Sequence, residues 1–161
     1  DKDVSKISFE VPVLFATNVI GSFKEIDGFV EIDIEDKENN KAVISVVINS
    51  IETNYKKYRD LLLSPIFFDV KKNPIAVLDT KKFSYQREDE VAIDIELTLK
   101  GISKTIKTNL IINRLTNDLV QILGTSEFSR NEFNIGTDKW SNTTILKDKI
   151  KINSNIFLIK E

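Results

Sequence analysis

Carboxylates are the groups with which this chain could do acid–base chemistry. Its 161 residues include no His and no Cys. That removes Cys–His nucleophile pairs, the usual zinc ligand sets and haem ligation through imidazole. Asp33, Glu35 and Asp36 lie close together. The alternation of the segment puts them on the wet side of a strand beside a turn, where nothing desolvates a carboxyl group and raises its pKa. A solvated acidic face accounts for them. Arg59 and Asp60 are adjacent opposite charges that read as an anchor for a cap. Arg130 and Glu132 would share a strand face and pair locally to hold a loop. No catalytic residue, no metal ligand set and no cofactor are expected, and the chain does not read as an enzyme.

The aromatic residues are the better candidates. Ten Phe stand against three Tyr and one Trp. Such a bias suits a wall that must be apolar and must leave no hydroxyl without a partner. Taken alone, it describes a packed core as well as a ligand-lined cavity.

The elements that would carry these residues are strands. Val91, Ile93, Ile95, Leu97 and Leu99 alternate with polar residues and Ala92. Ala42, Ile44, Val46 and Ile48 form a second apolar face, and Val30, Ile32 and Ile34 a third. Ile106, Thr108, Leu110 and Ile112 form a fourth, and Ile150, Ile152, Ser154, Ile156 and Leu158 a fifth. Phe9, Val11 and Val13 open the chain in the same style; Ala76–Phe83 and Leu119–Leu123 are shorter candidates. One wet and one dry face per strand is the pattern of antiparallel sheet. Turn signals at Glu38-Asn39-Asn40, Lys100-Gly101 and Asn117-Asp118 separate the strands. Roughly eight strands are expected, enough to close a barrel around one elongated ligand. The segment Tyr55–Phe68 breaks the pattern: Tyr58, Leu61 and Leu62 have helical spacing and Pro65 stops the run, so a short helical cap is expected.

The bulk composition fits one globular domain over residues 1–161, with 41% hydrophobic and 30% charged residues. A net charge of −2 gives no reason to expect nucleic acid as a partner. The lysines between Lys147 and Lys160 alternate with Ile and read as a solvated strand face. No apolar run reaches the ~18 residues that a spanning helix needs.

Several short motifs occur in a fixed order. Ile7–Phe23 holds an opening strand and V-x-G-x-F. Ser50-Ile51-Glu52-Thr53 follows, then Arg59-Asp60 with Leu63, then Phe67-Phe68-Asp69-Val70 with Pro74 beyond it. Leu97–Lys104 reads L-T-L-x-G-I-S-K, and Arg130-Asn131-Glu132-Phe133 closes the series. Together they resemble the YceI-like polyisoprenoid-binding family. Val13 and Leu62 stand where many relatives carry His, so polar contacts made by those histidines are not available here.

The resemblance implies an all-β, lipocalin-like antiparallel barrel whose interior holds an isoprenoid chain. It turns the apolar faces into expected lipid-binding residues: Ile44, Val46, Ile48, Val91, Ile93, Ile95, Leu97, Ile152 and Ile156, with Phe67, Phe68, Phe128 and Phe133. The expected ligand is an isoprenoid, a quinone-type molecule or a fatty amphiphile, carried or sequestered without a reaction. A periplasmic or secreted location is expected, with a signal peptide removed ahead of Asp1, and a homodimer is compatible with the resemblance. Two rival expectations stand beside this one. A barrel with a packed interior would serve as an interaction or stress-response module. A less favoured carboxylate-dependent, lipid-modifying enzyme would need acids inside the barrel.

Overall fold

Ten strands alternate along the chain as the apolar pattern requires: β1 (Lys6–Val11), β2 (Val19–Phe23), β3 (Ile26–Glu31), β4 (Asn40–Val47), β5 (Ile51–Thr53), β6 (Ile75–Phe83), β7 (Val91–Leu99), β8 (Ile102–Arg114), β9 (Leu119–Ser129) and β10 (Lys149–Ile159). One α-helix, α1 (Lys56–Leu63), lies between β5 and β6. The structure, a computed structural model, describes residues 1, 3–32, 38–85 and 90–159. The acidic group Asp33, Glu35 and Asp36, and Ile34 between them, lie outside the described residues.

The strands form one sheet in the order β3-β4-β6-β7-β8-β9-β10-β1-β2-β5. Every described pairing is antiparallel. The sheet curls into a half-barrel whose apolar faces point inward. There are ten strands where roughly eight were expected, because two long strands are each broken at a bend. Only Lys24 and Glu25 separate β2 from β3, and only a 3₁₀ turn at Ile48–Ser50 separates β4 from β5.

The register explains the alternation. Across the inner face, Leu110 of β8 lies opposite Val91 of β7 and Gly124 of β9. Gly124 in turn lies opposite Ser154 of β10, and Ser154 opposite Ile7 of β1. The β7–β8 hairpin turns on Lys100 and Gly101, both at positive φ (50° and 75°). Two successive left-handed residues match the twist of the strands they join, which is why Gly is favoured there. Lys100 occupies the costlier position, and its ammonium donates to the Asn134 carbonyl at 2.7 Å.

The half of the barrel under α1 is packed solid with aromatic rings. Phe9 sits 5.8 Å from Phe23 and 6.5 Å from Phe68, centroid to centroid, and Phe23 and Phe68 are 6.4 Å apart. Phe128 meets Phe133 edge-on at 5.1 Å, and Phe67 meets Trp140 at 5.7 Å. Gly21, directly opposite Phe9, makes room for this cluster: a Cβ there would stand 2.4 Å from the Phe9 ring. The helix buries Leu62 into the same cluster, with Leu61 packed beside it. Arg59 ties α1 down by donating to the Ile51 carbonyl at 3.2 Å and the Asn49 carbonyl at 2.7 Å.

The segment from Asn131 to Asp148 is organised around Arg130, which is 1% exposed. Its guanidinium donates to the carbonyls of Lys147 (2.9 Å), Ile135 (3.0 Å), Leu146 (2.8 Å) and Asn142 (3.3 Å). Burial lowers its pKa from the ordinary guanidinium value, with Asp148 acting in the opposite sense. A fully satisfied buried cation of this kind is a structural clasp. Glu132 is exposed and takes no part in it. Arg130 caps a 3₁₀ turn at Asn131–Phe133 and Glu132 lies within it, so the two do not share a strand face.

A cleft along the unpaired edge of the half-barrel

The candidate site exists because β3 leaves its neighbours. β1 and β2 are paired from Ile7–Phe23 to Val11–Val19. Beyond Phe23 the chain bends, and among the described residues β3 has β4 as its strand partner. Its other edge faces the opening of the half-barrel.

Ser50 fixes the bend. Its hydroxyl accepts from the backbone N–H of Lys24 at 3.1 Å and of Glu25 at 3.0 Å, and donates to the Val47 carbonyl at 2.7 Å. The Val47 N–H returns to the Glu25 carbonyl at 3.0 Å. One side chain thereby replaces the ladder bonds lost where the strands break.

The wedge that opens above this bend is a cleft of about 980 Å³. Its apolar lining includes Ile26, Phe29, Val30 and Ile32 on the β3 side, Ile44 on β4, Val120 on β9, and Ile156, Phe157, Leu158 and Ile159 on β10. Its polar lining includes Asp27, Glu31, Arg114, Asn117 and Asp118. A second recess of about 600 Å³ continues toward the bend and shares Ser5, Ile26 and Asp27 with the first. The two form one trough along the free edge of β3. A trough with aliphatic lining and a few polar groups can hold an elongated amphiphile: burying each CH₂ contributes ~0.8 kcal/mol, and the polar groups orient the head.

The inner wall also carries hydroxyls. Thr108 of β8 and Ser126 of β9 face each other and share a hydrogen bond of 2.7 Å. Paired in this way, they remain inside at little cost.

The expected lipid-binding residues fall into three groups. Ile44 and Ile156 line the cleft. Val91, Ile93 and Ile152 are half-buried residues packed against the core. Val46, Ile48, Ile95, Leu97, Phe67, Phe68, Phe128 and Phe133 are buried in the core. The four Phe belong to the packed half, not to the cleft lining. The lining residues Ile26, Val120 and Leu158 were not singled out from sequence as ligand contacts. Nothing in their alternation separates them from core positions; what distinguishes them is adjacency to a free strand edge, a property of sheet order.

Among the described residues no group of three or more carboxylates is placed to hold a metal ion. No helix among them is long and apolar enough to cross a membrane. Among the described residues the distinctly shifted carboxyl group is Asp79, on the outer side of β6. The Lys81 side chain, and after it the Lys81 backbone N–H, hold its pKa below the usual 3.8.

The fold and the sequence both have relatives. The family model described as "YceI-like domain" matches residues 1–158. A "UPF0312 protein" of Pseudomonas aeruginosa (strain LESB58) is 31% identical over 107 residues, which is 65% of this chain and 56% of that protein. The match thus spans about half the length of that curated relative. Among solved structures, Burkholderia cenocepacia BcnA superposes with a TM-score of 0.89 at 23% identity, covering 98% of both chains. A polyisoprenoid binding domain from Saccharophagus degradans, implicated in plant cell wall breakdown, superposes with a TM-score of 0.77 at 13% identity, covering 100% of this chain and 97% of that one. At these identities the two structures establish the shared fold.

Proposed function

This chain belongs to the YceI-like family, and from that premise we propose that it binds a long-chain isoprenoid-type or similar amphiphilic lipid in the cleft along β3. The observation that carries the reading is the cleft itself: aliphatic side chains and a few polar groups lining a trough, on a fold shared with a polyisoprenoid binding domain. The tail would lie against Val30, Ile44, Val120 and Ile156, and the head would sit toward Arg114, Asn117 and Asp118. Binding needs no reaction, no metal and no cofactor, so the role is to carry or sequester the lipid. The proposed setting is the bacterial periplasm or the exterior.

The packed aromatic half supports a second reading, in which the barrel is an interaction module and the cleft holds nothing. One experiment separates them. Organic extracts of the purified protein are analysed by mass spectrometry, and the stripped protein is then titrated with polyprenols, quinones and fatty amides. Lipid recovered near one per chain, or saturable binding of one of these classes, supports the carrier. Clean extracts together with no binding of any class support the interaction module.

A further inference from the structure

At the capped end, far in the fold from the cleft's polar rim, one loop displays an aromatic ring to solvent. Phe15 is 98% exposed and stands at φ 56°, a left-handed conformation that a bulky side chain adopts at a cost. The loop is nevertheless built firmly. Val13 bridges to Leu146, the Leu14 N–H donates to the Ile145 carbonyl at 2.9 Å, and the Lys147 N–H donates to the Pro12 carbonyl at 3.0 Å. The Asn18 side chain accepts from the Val13 N–H at 3.2 Å and donates to Glu10 at 2.7 Å. Ile145, 62% exposed, lies on the facing segment, opposite Leu14. Asn54 ties the same loop to the start of α1 through Ile20 and Asn18, bringing Tyr55, Lys56 and Lys57 alongside.

Within the tip's own two segments the charge has one sign. Val11 to Phe23 contains no charged residue, and Lys139 to Lys147 contains two lysines and no carboxylate. Of the carboxylates just outside these segments, Glu10 accepts from Asn18 and Asp148 accepts from Ser129 and Asn131, while Asp138, next to Lys139, is exposed. A convex tip buries little area against a rigid surface, but it is surrounded on all sides when immersed in a fluid apolar phase. Exposed Phe and Ile, with Lys147 on the same segment as Ile145 (its ammonium donating to the Thr144 carbonyl at 2.9 Å) and Lys139 at that segment's start, suit the boundary between acyl chains and anionic headgroups.

We propose that this tip docks the protein on an anionic lipid bilayer, with Phe15 and Ile145 inserted below the headgroups and Lys139 and Lys147 paired with them. The site is distinct from the cleft and does not depend on what the cleft holds. It is tested by flotation of the whole chain with vesicles of phosphatidylcholine containing phosphatidylglycerol, against vesicles of phosphatidylcholine alone. The wild type is expected to float with the anionic vesicles and to release as salt is raised. Phe15→Gly should weaken this binding by roughly tenfold or more, the partitioning effect of one phenyl group, while its melting temperature stays level or rises because Gly relieves the left-handed φ. The double variant Lys139→Glu/Lys147→Glu should lose the preference for anionic vesicles. Failure of the wild type to float, or Phe15→Gly floating as well as the wild type, overturns the proposal. So does a concentration-dependent dimer that Phe15→Gly abolishes, because the tip would then be a protein contact.

Discussion

Arg130 shows how much a single side chain can organise here. Its N–H groups satisfy carbonyls from Ile135 to Lys147, backbone that lies outside the ten strands. Lysine has the charge but not the fork. Arg130→Lys is therefore expected to cost ~2–4 kcal/mol by leaving buried carbonyls unpaired, measured as a drop in the urea midpoint; an unchanged midpoint would show that water replaces the lost donors. Gly21 is the matching case for space. A Cβ there would lie 2.4 Å from the Phe9 ring, and Phe9 is held by Phe23 and Phe68. Gly21→Ala should destabilise by ~1–3 kcal/mol through overpacking, read from thermal unfolding, and a neutral effect would mean the aromatic cluster shifts freely. Asp79 supplies the pH dependence. Because Lys81 holds its folded pKa below 3.8, its contribution is present above that value and is lost as pH falls through the lower folded one. Comparing wild type with Asp79→Asn across acid pH should show the two converging as pH falls well below 3.8. Parallel curves down to the lowest pH would remove Asp79 from the acid response.

The bend between β2 and β3 is the element on which the cleft depends. Ser50 receives two backbone N–H groups there, so Ser50→Ala should cost ~1–3 kcal/mol and loosen the edge strand. Faster amide exchange at Lys24 and Glu25, with β7–β8 unaffected, is the expected signature; unchanged protection would mean the backbone bond from Val47 suffices. The bend also marks where reading from sequence stops. The alternation of β7, β8 and β10 is legible residue by residue, since one face is wet and the other dry. The helix at Lys56–Leu63 is legible from Tyr58, Leu61 and Leu62 ahead of Pro65. The break in the long first hairpin is not, because Ser50 acts on residues 25 and 26 positions away, and no local pattern announces a side chain that substitutes for a ladder. Arg130 was noticed as a charge near Glu132, whereas its partners are carbonyls, which every residue has and no sequence motif displays.

The whole molecule has two unlike halves inside one curled sheet. The capped half is filled by Phe9, Phe23, Phe67, Phe68, Phe128 and Phe133, and it supplies stability. The opposite half is opened by the departing β3 and supplies the cleft. Most of the Phe thus report the packed half, while Val30, Ile44 and Ile156, with Phe29 and Phe157, line the space. If a lipid occupies that trough, a large side chain placed in it must compete with the ligand. Val30 is the best position, because it lies on an edge strand where a larger residue can be accommodated without disturbing the aromatic half. The most direct test is a titration of stripped protein with a fluorescent polyprenol, comparing wild type with Val30→Trp. Saturable binding near one per chain, weakened by roughly tenfold or more in a variant of unchanged melting temperature, is the expected result. Equal binding by the two proteins would place the ligand elsewhere and contradict the assignment of the β3 cleft as the lipid site.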